Sequence, residues 1–164
     1  VTNNVPVHKG DVFFIESGTL HAIGKGILIA EIQQNSNTTY RVYDYGRVGK
    51  DGKPRELHIE KAIDVTELCP PKYDTKPQGK PVKIDGGEET LLRSCEYFDV
   101  HKIKVSGTVT LDADEKSFMS VLVLDGSGKI GELDAKKGDS FFVPAGYGRF
   151  TLTGNLEVIL SDIV

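Results

Sequence analysis

The sequence predicts an all-β protein whose main unit is an antiparallel barrel or sandwich. Short runs rich in branched and aromatic residues follow one another at short, even spacing after residue 82, and glycines separate them. This pattern is typical of antiparallel all-β architectures. The runs are Phe98–Val105, Thr108–Leu111, Ser117–Leu124, Lys129–Leu133, Ser140–Val143, Arg149–Thr153 and Leu156–Ser161.

The part before residue 66 has about half of the strands that such a barrel needs. Strand-like runs cover Val12–Ile15, Ile27–Ile32 and Thr38–Tyr43, and near-helical spacing of apolar residues predicts a helix over Arg55–Val65. Four prolines between residues 69 and 81 favour a connecting segment. We therefore expect an incomplete unit over 1–65, a proline-rich linker over 66–81 and a complete barrel over 82–164.

Composition limits the kinds of partner the protein is expected to bind and the cellular compartment in which it is expected to lie. The net charge is −4 and the pI is near 5.6, so no basic footprint for nucleic acid is expected. The apolar runs are too short to span a bilayer and no signal-peptide pattern opens the chain, which favours a cytoplasmic protein. Cys69 and Cys95 have no paired spacing and are expected to be reduced. Residue 1 is Val, so we expect that it is not the native start.

An internal repeat organises the chain. Gly10–His21 aligns without gaps with Gly138–Arg149, and both copies share a Gly-Asp turn, two phenylalanines and a second glycine. In each copy the turn leads into a short apolar strand, and the second glycine-containing turn directs the next strand inward. Both copies fit the spacing G-x5-P-x-G-x2-H, which resembles the second half of the cupin signature.

The two copies depart from the cupin pattern at different positions. The first has Glu16 in place of proline, and the second has Arg149 in place of histidine. His21 lies where a cupin presents its last metal ligand, and a neutral imidazole is a suitable zinc ligand. Because arginine cannot bind a cation, the second barrel is expected to lack a metal site and to serve as scaffold, or at most as an anion contact.

Three stretches carry a more specific resemblance. Ser17–Gly24, Ala30–Arg47 and Arg55–Ala62 resemble bacterial zinc-dependent mannose-6-phosphate isomerases of the cupin type. This resemblance implies a cupin-type double-stranded β-helix, or jelly-roll barrel. One complete barrel would lie at the carboxyl end, preceded by part of a catalytic one.

The resemblance also implies a reaction and a set of site residues. These isomerases interconvert mannose 6-phosphate and fructose 6-phosphate by proton transfer through an enediol, assisted by one zinc ion. His21 matches the last zinc ligand and Glu31 an acidic residue of the site wall. Arg41 matches the arginine that acts at the enediol, and Arg47 a basic residue near the substrate phosphate.

Each of these residues also has a structural alternative. His21 would then be an ordinary hydrogen-bonded histidine, and Glu31 a solvated strand residue. Arg41 would face solvent with Thr39 and Tyr43 by strand alternation, and Arg47 would be a plain loop charge. Three further histidines receive no ligand role; of these, His58 is assigned to the surface or packing of the helix. The other two are His8 and His101.

The chain offers one candidate ligand where a zinc site needs three or four. In the family the others come from a Gln-x-His pair and a glutamate upstream, which residues 1–9 do not supply. We therefore expect the 164-residue chain to be inactive alone. An unpaired sheet edge in residues 1–65 would also favour a homodimer.

Two other functions remain open from the sequence. The first is a non-catalytic cupin-type sugar-binding or regulatory module. The second is a different cupin enzyme, such as an epimerase or a dioxygenase, which residues 31–47 argue against. A Gln-x-His pair and a glutamate in the sequence directly upstream would favour the isomerase.

Overall fold

The computed structural model describes residues 3–164 and divides into two compact units. Thr75–Val164, together with residues 3–13, forms one unit, and Phe14–Asp74 forms the other. The division of the chain at residues 65 and 81 stays a prediction. Within the described residues, no helix is long and apolar enough to cross a membrane.

The first unit is an eight-stranded antiparallel sheet, which confirms the predicted all-β class. Its strands are β1 (Val82–Ile84), β2 (Gly87–Ser94), β3 (Asp99–Val105), β4 (Thr108–Ala113), β5 (Met119–Ile130), β6 (Leu133–Lys136), β7 (Ser140–Val143) and β8 (Gly148–Asp162). The prediction for Ser140–Val143 matches β7 at both ends.

Two long strands organise this sheet. Strand β8 pairs with β4 through its first half and with β3 through its second half, while its other edge pairs with β5. Strand β5 in turn pairs with β7 near its start and with β6 near its end. The two longest strands therefore lie side by side, with β3 and β4 on the outer edge of β8 and β6 and β7 on the outer edge of β5, while β2 and β1 continue the sheet beyond β3.

Side chains fill the interior of this unit. Ile103 and Leu152 are fully buried, and their neighbours at alternate positions along β3 and β8 join the same apolar cluster. Alternation places these side chains on one face of the sheet, because successive residues of a strand point to opposite faces. The cluster consists of Ile103, Val105, Val109, Ala113, Val121, Val123, Ile130, Ala135, Val143, Phe150, Leu152, Leu156, Val158 and Leu160.

Some glycines that were predicted to separate strands lie inside strands in the structure. The predicted pair Arg149–Thr153 and Leu156–Ser161 is the single strand β8, with Gly154 between the two segments. Gly154 faces Gly128 of β5, and a Cβ on Gly128 would lie 1.9 Å from the Thr153 carbonyl oxygen. Glycine is therefore required here because two backbones meet closely, rather than because the chain turns.

The first two strands of the sheet were not predicted. Strand β2 contains Glu88, Glu89 and Thr90, which break the apolar pattern of a strand. It forms because β3 pairs along its whole length, with a bulge between Leu91 and Arg93. Partner strands thus decide this element where its own residues give a weak signal.

The second unit contains none of the three strands predicted before residue 44. Among its described residues, regular structure is limited to helix α1 (Ile59–Val65) and one isolated bridge between Val48 and Pro54. An extended segment is stable as a strand only when a partner takes its backbone hydrogen bonds. Residues 14–74 provide no such partner strand, so the runs at residues 12–15, 27–32 and 38–43 remain irregular.

The helix predicted over Arg55–Val65 is correct in type but shorter. It begins at Ile59, and His58 is its N-cap residue without a side-chain cap. At its end, the Thr66 amide and hydroxyl both donate to the Ala62 carbonyl oxygen, at 2.9 and 2.6 Å. Ala62 is the buried residue of this helix.

The predicted repeat has matching turn geometry in its two copies. In the first, the His8 amide donates to the Asp11 carboxylate at 2.8 Å, and the Asp11 amide donates to the His8 carbonyl at 3.1 Å. In the second, Lys136 and Asp139 make the same pair of bonds at 2.9 and 3.0 Å. The shared Gly-Asp turn is therefore a structural repeat as well as a sequence repeat.

Candidate active site

His21 lies just beyond the second turn of the first repeat. Gly18 in that turn has φ +85°, and a Cβ there would lie 2.7 Å from the Val65 carbonyl oxygen. The exposed His21 ring places Nδ1 2.8 Å from the Thr19 carbonyl oxygen. Since a carbonyl only accepts, Nδ1 donates, and the neutral ring keeps Nε2 as an unprotonated acceptor.

This arrangement suits a single metal ligand. A histidine that binds a metal through one nitrogen commonly donates its other N–H to a backbone carbonyl, which fixes the tautomer. His21 meets that requirement with Nε2 exposed. Among residues 3–164, however, no group of three or more His, Cys, Asp or Glu side chains could hold a metal ion. The described residues therefore fit one ligand of a zinc site but not a complete set.

Glu31 has no defined role in the structure. Its side chain is exposed, and it makes no hydrogen bond or ion pair with other described residues. The strand that was predicted to carry it, over residues 27–32, does not form. The assignment of Glu31 to a site wall stays a prediction.

Arg41 is held at both its backbone and its side chain. Its amide donates to His58 Nδ1 at 3.1 Å, and its carbonyl accepts from the His58 amide at 2.7 Å. Its Nη1 donates to the Glu56 carbonyl at 3.2 Å, and its Nε lies 3.9 Å from Asp44 Oδ1. Within the described residues, Nη2 has no hydrogen-bond partner and the side chain is 22% exposed. One edge of the guanidinium is thus free to bind an anionic oxygen.

Asp44 is a carboxylate that interacts with three arginines, which together form the arginine cluster: Arg41, Arg47 and Arg55. Arg55 donates to it from two nitrogens, with Nε 2.7 Å from Oδ2 and Nη2 on Oδ1. The hydrogen bond from Arg55 holds the pKa of Asp44 below its usual value against the opposing effect of burial, and the charges of Arg41 and Arg47 act in the same direction. Asp44 is therefore ionised at neutral pH, although its side chain is only 10% exposed.

A tight turn brings Arg47 close to this carboxylate. The Arg47 amide donates to the Asp44 carbonyl at 2.9 Å, and Tyr45 and Gly46 between them have φ values of 53° and 67°. Two successive positive φ values define a turn of type I′. Tyr45 is unusual in this conformation, and its ring lies 5.8 Å from the Arg47 guanidinium carbon. The turn thus brings the Arg47 guanidinium beside the Tyr45 ring.

The structure therefore unites two of the four predicted residues. The charges of Arg41 and Arg47 both lower the pKa of Asp44, whereas within residues 3–164 neither His21 nor Glu31 makes a hydrogen bond or ion pair with that carboxylate. Asp44 and Arg55 were not predicted, because they pair across a loop that has no regular periodicity. His58 was assigned to the surface or packing of the helix, and it packs beside Arg41 through its ring nitrogen.

Arg149, at the position of His21 in the second repeat, points away from the core. Its side chain is 82% exposed and its Nε lies 3.7 Å from an Asp112 carboxylate oxygen. It is the second residue of strand β8, where it pairs with Asp112 of β4. This exposed ion pair fits the scaffold role expected for this part of the barrel.

A polar group lies at one end of the filled barrel. Asp99 and Asp162 are register partners on the face that also carries Ile103, and His101 Nδ1 lies 2.9 Å from a Glu89 carboxylate oxygen. That contact is close enough for an ion pair, but its angles do not meet those of a hydrogen bond. Burial raises the pKa of Asp162, and His101 opposes this shift. The group adds polar character to the barrel end without forming a metal-binding set.

Residues 87–163 match the family described as mannose-6-phosphate isomerase, cupin domain. This part of the chain is therefore similar to the cupin domain of mannose-6-phosphate isomerases. The cupin domain therefore corresponds to strands β2 to β8, and the expected jelly-roll class is confirmed.

Two curated relatives align with nearly the whole chain. The mannose-6-phosphate isomerase ManA of Bacillus subtilis (strain 168) is 44% identical over 163 residues, which is 97% of this chain and 51% of that protein. The mannose-6-phosphate isomerase of Streptococcus mutans serotype c (strain ATCC 700610 / UA159) is 40% identical over 161 residues, 96% of this chain and 50% of that protein. The chain thus spans about half the length of the curated relatives it matches.

A solved structure extends the likeness beyond the cupin domain. The crystal structure of the mannose 6-phosphate isomerase from Bacillus subtilis superposes with a TM-score of 0.66 at 36% identity. The superposition covers 78% of this chain and 41% of that protein. Since the cupin domain occupies less than half of the chain, the matched region includes residues outside it.

Proposed function

We propose that this chain is part of a mannose-6-phosphate isomerase that interconverts mannose 6-phosphate and fructose 6-phosphate. The observation that carries the proposal is the guanidinium of Arg41, which is fixed at its backbone and presents one free edge. The similarity to isomerases over 97% of the chain supports it further.

The reaction moves a proton between C1 and C2 of the sugar through an enediol. Negative charge develops on an oxygen during this step, and a fixed cation directed at that oxygen stabilises it. Arg41 would donate from its free Nη2 edge to that oxygen. Arg47 would bind the substrate phosphate, since its side chain is exposed and a guanidinium can donate two parallel hydrogen bonds to phosphate.

Zinc is the metal proposed for the intact enzyme. His21 would bind it through Nε2, with Nδ1 held by the Thr19 carbonyl. When bound, the zinc ion supplies a Lewis acid that stabilises negative charge on a substrate oxygen. The remaining ligands would come from a part of the polypeptide other than residues 3–164. Glu31 is proposed to line the same site.

The cupin domain itself is proposed to act as scaffold. Its interior is filled by apolar side chains, and Arg149 is directed to solvent. A non-catalytic sugar-binding or regulatory role for the whole chain remains the alternative. That role predicts sugar-phosphate binding without turnover when the missing half is restored.

The proposed partners follow from the proposed activity. The substrate is a sugar phosphate, the protein is cytoplasmic, and neither nucleic acid nor a membrane is a partner. A homodimer through the amino-terminal unit is also proposed. Its support is no longer an unpaired strand edge but exposed apolar side chains such as Leu28 and Leu68, which are 92% and 96% exposed.

The proposal can be tested by completing the chain. The half of Bacillus subtilis ManA that lies outside the aligned region would be fused ahead of residue 1, and formation of fructose 6-phosphate from mannose 6-phosphate would be measured. We expect the completed protein to turn over substrate and the 164-residue chain to be inactive. Turnover by the isolated chain, purified from a strain that lacks the host isomerase, would contradict the account, and so would a folded but inactive fusion.

The same substitution at two arginines tests whether Arg41 contributes to catalysis. In the fusion, Arg41→Lys should lower kcat/KM by about 100-fold, because lysine lacks the planar fork that Arg41 directs at the substrate. Arg149→Lys makes the same chemical change at a site that is 82% exposed and should leave kcat/KM unchanged. Equal activity of the two variants would remove Arg41 from the site.

A further inference from the structure

A single carboxylate lies between two arginines in the loop that follows Arg41. Asp44 is 10% exposed, whereas Arg55 is 45% exposed and Arg41 is 22% exposed. Arg55 donates to the Asp44 carboxylate from two nitrogens, and this pair of bonds fixes the plane of the carboxylate. Asp44 Oδ1, which accepts from Arg55, is also the oxygen 3.9 Å from Arg41 Nε.

The contact between Asp44 and Arg41 differs in kind from the contact between Asp44 and Arg55. A separation of 3.9 Å is longer than a hydrogen bond, so the attraction orients Arg41 without occupying its donors fully. The Glu56 carbonyl accepts a hydrogen bond from Nη1, a different nitrogen of the guanidinium. These two contacts define the direction of the guanidinium and leave Nη2 without a partner among residues 3–164.

We propose that Asp44, itself oriented by Arg55, is a positioning residue for Arg41. It sets the direction in which the Arg41 guanidinium presents its free edge, and it does not contact substrate itself. What Arg41 does with that edge rests on the proposed isomerase function, whereas the way in which Arg41 is held does not.

A purely structural role explains this carboxylate less well. The turn that contains Asp44 is already closed by the backbone bond from the Arg47 amide at 2.9 Å. Arg55 is half-exposed, and ion pairs with exposed partners contribute little to stability. Removing a carboxylate from water costs free energy, and stability of the loop alone does not account for a carboxylate placed between two arginines.

The first test observes Arg41 directly in the 164-residue chain. Hydrogen exchange of the Arg41 Nε–H, followed by NMR, should accelerate by about fivefold in Asp44→Asn, because the nearby carboxylate charge is lost. Asp51→Asn is the matched control, since it removes the same charge from an exposed residue of the next loop. Arg55→Gln should accelerate exchange as well, because Asp44 then loses its orientation.

The second test measures catalysis in the completed fusion. Asp44→Asn should lower kcat by about 100-fold, the effect of a displacement of about 1 Å at a reacting group. KM should stay equal or fall, because removing a negative charge from the arginine cluster favours a phosphorylated substrate. Asp44→Glu should recover part of kcat, and Asp51→Asn should leave both constants unchanged.

The two tests separate this proposal from the proposed function. Unchanged Arg41 exchange in both Asp44→Asn and Arg55→Gln, with the barrel folded, overturns the positioning role. An inactive unsubstituted fusion overturns the isomerase assignment, and the exchange measurement then decides the positioning role alone. A rise in KM with constant kcat would instead assign Asp44 to substrate binding and also overturn the proposal.

Discussion

Replacing Leu152 by alanine should remove about 3 kcal/mol from the free energy of unfolding of the cupin domain. Leu152 is fully buried and lies between Val109 of β4 and Ile130 of β5, its register partners. Truncation removes buried methyl groups and leaves a cavity, because close-packed neighbours relax only in part. The loss is large compared with the total stability of a domain of this size.

Urea unfolding followed by circular dichroism measures this loss. The matched control is Leu133→Ala, because Leu133 belongs to the same sheet but is 62% exposed. We expect the control to change the unfolding free energy by less than about 0.5 kcal/mol. Equal losses in the two variants would mean that the apolar cluster does not stabilise the domain as its burial indicates.

Gly128→Ala should lower the free energy of unfolding of the cupin domain at least as much as Leu152→Ala does, for a different reason. A Cβ at this position would lie 1.9 Å from the Thr153 carbonyl oxygen, and the β5 and β8 backbones cannot both keep their places. Such a clash costs about 3 kcal/mol or more, because relief requires the two longest strands to separate. We expect little folded domain at room temperature.

Gly107→Ala is the control that isolates the clash. Gly107 also adjoins a strand, yet its added Cβ would meet nothing closer than 3.7 Å. The substitution should be neutral or stabilise slightly, since alanine restricts the unfolded chain. Thermal unfolding of the two variants side by side would reveal the contrast, and similar midpoints would contradict the close approach of β5 and β8.

The prediction from sequence succeeded where local residues determine the element. Strand β7 and the Gly-Asp turn before it follow from a short apolar run and a glycine with positive φ, and both are local properties. Strand β2 was missed because it is stabilised by pairing with β3. Its own residues do not alternate in a way that predicts a strand. Residues 27–32 show the reverse case, since their apolar run lacks a partner strand among the described residues.

The candidate site divides in a similar way. The resemblance to isomerases identified Arg41 and Arg47, and the structure brings both to one carboxylate. Asp44, Arg55 and the ring contact of His58 could not be read from spacing. They meet because a type I′ turn and an irregular loop return the chain to Arg41, and no periodic pattern encodes such contacts.

We propose that residues 14–74 contribute a metal ligand and a wall of an isomerase site. Zinc content of the completed fusion, measured after dialysis, tests this claim most directly. We expect about one zinc per chain in the unsubstituted protein and in His8→Ala, whose side chain is 80% exposed. His21→Ala should lose the metal, because Nε2 of His21 is the ligand that we propose this chain supplies. Zinc retained by His21→Ala at the level of His8→Ala would contradict the account.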